Sequence, residues 1–118
     1  MLAQKVSATF DVNALVTEAV DIRQAKRVYL EIPTYAIGII TATANIYVQA
    51  ADTQTGTFRR VQEMGVYSAN SGIYAWEIPS GAGNSYTLCR PVIGLDWLKI
   101  ESSKTATAAM TCYVHIIR

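Results

Sequence analysis

Histidine occurs once in this 118-residue sequence, cysteine twice and proline three times, and charged residues make up only 16% of it. A lone His115 cannot build a histidine-rich metal centre, and Cys89 and Cys112 form no Cys-x-x-Cys spacing, so the common zinc frameworks are excluded and no metal or cofactor is expected. Two widely separated cysteines are no disulfide framework either; a free, buried pair is favoured over a single bridge. Ten Lys or Arg against nine Asp or Glu leave a net charge of +1, too little field to gather nucleic acid or an anionic membrane. The longest strongly apolar run, Tyr35 to Ile40, is far short of the about 20 residues that cross a bilayer. The start of the chain, Met1 to Val6, lacks the apolar stretch of a secretory signal, so the expectation is a protein made and kept in the cytoplasm unless an assembly carries it elsewhere.

What is abundant is apolar residues, 51% of the chain, enough for one core, and residues 1–118 read as a single domain. The apolar positions alternate. Val28, Leu30 and Ile32 share one face while Tyr29 and Glu31 point away, and Pro33 closes that strand. Ile46 and Val48 oppose Tyr47 and Gln49 in a second strand, which breaks at Asp52-Thr53-Gln54-Thr55-Gly56 and resumes from Thr57 to Gln62. Further strands are predicted over Lys5–Asp11, Gly72–Ile78, Ser85–Arg90, Leu95–Glu101 and Ala108–Ile117. Ser80–Ser85 and Ser102–Thr107 have the composition of loops. Only Val12, Leu15, Val16, Ala19 and Val20, after a capping Asp11, keep helical spacing; a turn or short helix and an extra strand at Ala19–Ile22 are both compatible with them. About eight short strands without a strong helix predict an all-β fold, two antiparallel sheets packed as a jelly-roll or immunoglobulin-like sandwich. Glu31-Ile32-Pro33-Thr34-Tyr35-Ala36 is echoed by Glu77-Ile78-Pro79-Ser80-Gly81-Ala82, too short a match to make a repeat architecture.

Catalysis fails by elimination. Met110, Cys112, Val114 and Ile116 take the inward face of the last strand, leaving Tyr113 and His115 outward, and no serine or cysteine stands in a nucleophile-elbow motif. Asp52 lacks the further acids of a calcium loop and reads as a turn initiator. Gly72, Gly81 and Gly83 open no helix and precede no Lys-Ser or Lys-Thr, so no phosphate cradle is indicated. No residue is assigned a catalytic, cofactor or metal role. What remains is surface character. Tyr29, Tyr47, Tyr113 and Trp97 fall opposite the aliphatic set, and Arg59 and Arg60 adjoin Phe58; these six non-Phe residues are the candidates for partner contact.

Val28–Pro33, Ile46–Asp52 leading into Gly56–Val61, Trp97–Ser102 and the closing apolar strand Thr111–Ile117 together resemble the small β-sandwich virion proteins of tailed bacteriophages and prophages. The resemblance spans roughly residues 28–117. The turn at Asp52–Gly56 is longer than the family's, and residues 1–25 have no counterpart, which makes that segment a candidate for docking or oligomerisation. The resemblance implies a capsid decoration, or cement, protein on the virion surface that bridges major capsid protein subunits, works as a homo-oligomer such as a trimer, and carries no catalytic residues. The alternatives are a tail or baseplate module that binds carbohydrate or receptor through Tyr74, Trp76 and Trp97, and a head-completion connector.

Overall fold

The computed structural model describes residues 5–14, 16–61, 76–103 and 106–118. These form ten strands and, among the described residues, no helix: β1 (Lys5–Asp11), β2 (Val20–Asp21), β3 (Arg27–Ile40), β4 (Ala44–Ala51), β5 (Arg59–Arg60), β6 (Trp76–Ile78), β7 (Gly81–Tyr86), β8 (Arg90–Pro91), β9 (Trp97–Ser102) and β10 (Thr111–Ile117). Pairing is nested. β1 pairs with β10, β2 with β9, β3 with β7 and β8, and β4 with β5 and β6, all antiparallel, like the rungs of one long hairpin. That ribbon is wrapped so that β10 also pairs with β3, and β9 with β4. The result is sheet A, ordered β1-β10-β3-β7 with β8 beside β3, and sheet B, ordered β2-β9-β4-β5 with β6 beside β4. This wrapping is that of a jelly roll rather than an immunoglobulin sandwich.

The alternation explains why two sheets form. Val28, Leu30 and Ile32 of β3 and Cys112, Val114 and Ile116 of β10 face Ala44, Ile46, Val48, Leu98, Ile100 and Ile78 of sheet B across the core. Trp76 joins them, and its indole N–H is not orphaned, since Nε1 donates to the Leu88 carbonyl at 3.0 Å. Each fully buried Leu or Ile contributes about 1.5–3 kcal/mol, so burial of the inner faces favours closure of the sandwich.

Two expectations change, and the alternatives left open after Asp11 are resolved. β3 does not stop at Pro33 but runs on to Ile40, with a register shift between Ile32 and Tyr35 where the proline sits. The last β3 partner on β10 is Glu31, opposite Tyr113, so the N–H that Pro33 lacks falls beyond that ladder. The expected loop at Ser80–Ser85 is mostly strand β7. Tyr35 packs against Gly83 of this strand, and the Tyr35 hydroxyl donates to the Pro79 carbonyl at 2.8 Å, joining the two echoed segments. No helix follows Asp11; its Oδ1 accepts from the N–H groups of Asn13 (2.8 Å) and Met110 (2.9 Å), and Thr17 is then tied to Ile100 by its N–H and by its hydroxyl oxygen. The extra strand is present as β2. Of Gly72–Ile78 only Trp76–Ile78 lies within the described residues, and Leu15 and Gln62 lie outside them. Residues 5–11 and 20–21 of the anticipated docking segment supply β1 and β2, with β1 at an edge of sheet A.

Both cysteines are free, but only Cys112 is buried; Cys89 is exposed between β7 and β8. Burial pushes the Cys112 thiol up to about 12. Iodoacetamide should therefore alkylate Cys89 alone in the native protein and both thiols in denaturant, as read by intact mass. Leu30 is fully buried on the strand that pairs with both β10 and the β7–β8 edge, so Leu30→Ala should cost about 3 kcal/mol in a urea melt.

Candidate functional site

Outward-facing residues of sheet B form a braced layer. From β4, Tyr47 and Gln49 stand beside Arg60 of β5 on one flank and Lys99 and Glu101 of β9 on the other, because the registers pair Gln49 with Arg60 and with Lys99, and Tyr47 with Glu101. Glu101 is the hub. Its Oε1 accepts from Gln49 Nε2 at 2.7 Å and from Arg60 Nε at 3.0 Å, while Oε2 pairs with Arg60 Nη2. The guanidinium in turn lies over the Tyr47 ring, 3.8 Å from its centroid. The Lys99 ammonium sits 4.4 Å from the Phe58 centroid, and Arg23, bound to Asp21 by two side-chain hydrogen bonds, lies 5.4 Å over Trp97. The hydrogen bonds from Arg60 hold the Glu101 carboxyl below the usual range against the opposing effect of burial, with a further lowering from Gln49.

On the outer face of sheet A a second network crosses β1, β10 and β3. Ser7, His115 and Tyr29 are successive cross-strand partners, with Glu31 one step along β3. His115 Nε2 bonds Glu31 Oε1 at 2.8 Å, and Ser7 Oγ lies 2.6 Å from Nδ1. An ionised Glu31 only accepts, so Nε2 is the donor in that contact. The ring is only 6% exposed although it faces away from the core, being packed beside Tyr29 (4.9 Å between centroids) and Tyr113 (6.4 Å). Serine, histidine and glutamate in a chain are the parts of a nucleophile relay. Here the hydrogen bonds join β1, β10 and β3 across the sheet and anchor the Glu31 carboxylate, which lines a groove of its own on this face.

The six sequence candidates thus divide. Tyr47, Arg60 and Trp97 lie on the outer face of sheet B, Tyr29 and Tyr113 on that of sheet A, and Arg59, paired with Ala50, instead lines a cleft of about 160 Å³ with Asp52, Thr57 and Asp96. Trp76 is in the core and Trp97 on the far side of sheet B, so the two form no shared stacking platform; Tyr74 lies outside the described residues. Ser7, Glu31, Gln49 and Glu101 were not singled out. Alternation alone puts Glu31, Gln49 and Glu101 outward, but which of them meet is decided by strand register, which one sequence does not state.

No known family model matches the chain, and no curated protein matches it. The geometry nonetheless makes one sharp statement about charge. Because the folded-state Glu101 carboxyl titrates lower than in the unfolded chain, its stabilisation is present at neutral pH and lost as pH falls through that depressed value. Unfolding midpoints measured from pH 7 down to 3 should fall for the wild type, whereas Glu101→Gln should be less stable at pH 7 by about 1 kcal/mol and show a flatter acid limb.

Proposed function

We propose that this chain is a non-enzymatic capsid decoration protein, which clamps neighbouring major capsid protein subunits on the virion surface through the outer face of sheet B. One observation carries this reading: Tyr47, Arg60, Glu101, Lys99, Phe58, Arg23 and Trp97 are held in place by hydrogen bonds and cation–ring contacts before any partner arrives. Aromatic and arginine side chains dominate binding energy at interfaces, and fixing them beforehand lowers the entropy lost on docking. The resemblance of residues 28–117 to small phage virion sandwiches agrees with this reading, as does a net charge near zero, which suits a protein contact better than a nucleic-acid one. Homo-oligomerisation would multiply such modest contacts, and many copies on a shell would multiply them again. The Trp76–Trp97 platform that a tail saccharide module would need has no support, since Trp76 is buried.

Purified protein is expected to sediment with mature capsids of the virus that encodes it, and quantitative mass spectrometry of virions should count hundreds of copies on the order expected for a surface lattice rather than a ring. Tyr47→Ala and Lys99→Glu should each weaken capsid binding by about thirtyfold, while Asn84→Ala on the other sheet leaves it unchanged. Absence of wild-type binding, or equal binding by all variants, would overturn the assignment.

A further inference from the structure

The face opposite that proposed contact surface carries a built groove. It opens where the outer face of sheet A meets its β7 edge, at the register shift beside Pro33, and has a volume of about 330 Å³. That is the lower end of the range of small-ligand sites, roughly 300–1,000 Å³. Its lining is mixed, with Tyr86 and Pro33 beside Glu31, Thr34, Asn84 and Ser85.

We propose that this groove is a binding site for a neutral, hydroxyl-rich saccharide, with the Tyr86 ring as the stacking platform and Glu31 and Asn84 as the principal hydrogen-bonding groups. Tyr86 is 68% exposed, so its ring is open to a ligand, and it leans on Tyr29 with ring centroids 6.2 Å apart. Glu31 is preorganised. His115, itself almost fully buried and held on its other nitrogen by Ser7, anchors Oε1, so the carboxylate keeps a fixed plane beside Tyr86, its direct cross-strand partner. On the far wall the Asn84 amide donates to Thr34 Oγ1 at 3.2 Å, which orders a carbonyl oxygen that can accept.

The donor and acceptor pattern selects the ligand class. Among the described residues no Lys or Arg lines the groove, which gives an anion no countercharge there, and a single carboxylate beside hydroxyl and amide side chains offers more to a polyol than to a simple cation. Sugar rings present an apolar face of C–H groups for an aromatic ring and a rim of vicinal hydroxyls for planar carboxylate and amide groups. This proposal stands on the groove alone and does not rest on capsid binding.

Amide NMR titration of the full chain tests it, with oligomers of glucose, galactose, mannose and N-acetylglucosamine as probes and with choline and a lysine tripeptide as cationic comparisons. Saturable shifts at Thr34 and Asn84–Tyr86 with at least one oligosaccharide are expected. Tyr86→Ala should weaken that binding about tenfold, and Asn84→Ala should weaken it too, while Tyr47→Ala on the opposite face leaves it intact. Both groove positions are exposed, so these variants test binding rather than folding. Glu31→Gln, which keeps shape and one acceptor, should bind more weakly than wild type but better than Glu31→Ala. No saturable shift in the groove with any saccharide, or a response to the cationic probes alone, would overturn the proposal.

Discussion

A strand has two edges, and β10 uses both: one against β1, the other against β3. Everything else in the molecule is arranged around that double commitment and its counterpart, β4, which is lined on one side by β9 and on the other by β5 and β6. The nested hairpin would be only a ribbon without these extra pairings, and each pairing needs aliphatic residues on one face only. Cys112, Val114 and Ile116 satisfy that demand on β10, and Ile46 and Val48 on β4. The side chains on the reverse of those strands are then free to carry chemistry. His115, on the reverse of β10, bonds to strands on both of its sides, and Glu101, on the outer face of β9 beside β4, draws in Gln49 of β4 and Arg60 of β5.

The two outer faces are built to different plans. That of sheet B is held by charges laid over rings, with Glu101 drawing Arg60 and Gln49 together. That of sheet A is held by a hidden imidazole, with tyrosines as its cover. In both, a group that would be mobile on an ordinary surface is immobilised by neighbours from other strands. That is the condition under which a sheet face can recognise something without paying heavily in side-chain entropy.

Much of the sandwich was legible in period-two alternation. Val28–Ile32, Ile46–Gln49, Leu95–Glu101 and Met110–Ile117 announced their inner and outer faces correctly because burial on one side leaves a residue-by-residue imprint. The imprint fades where packing replaces pattern. β7 is made of Gly, Ala, Asn and Ser up to Tyr86 and has no apolar alternation; it is a strand because it pairs with β3. Pro33 looked like a terminator, yet the shifted register leaves its missing N–H without consequence. Tyr47, Arg60 and Trp97 could be placed on an outer face from alternation, but their common hub, Glu101, becomes visible only once β4, β5 and β9 are aligned. The same holds for Ser7, His115 and Glu31, which come from opposite ends of the chain and from its first third.

The nested pairing also brings the first and last strands side by side, with Lys5 directly opposite Ile117. A short covalent bridge between those two points would close the chain into a ring without disturbing either sheet, and a new start could then be cut at the exposed Asp52–Thr57 turn. Equally, two groups attached at Lys5 and Ile117 would emerge from a single rim of the sandwich. The fold is thus topologically suited to carrying paired cargo in one direction.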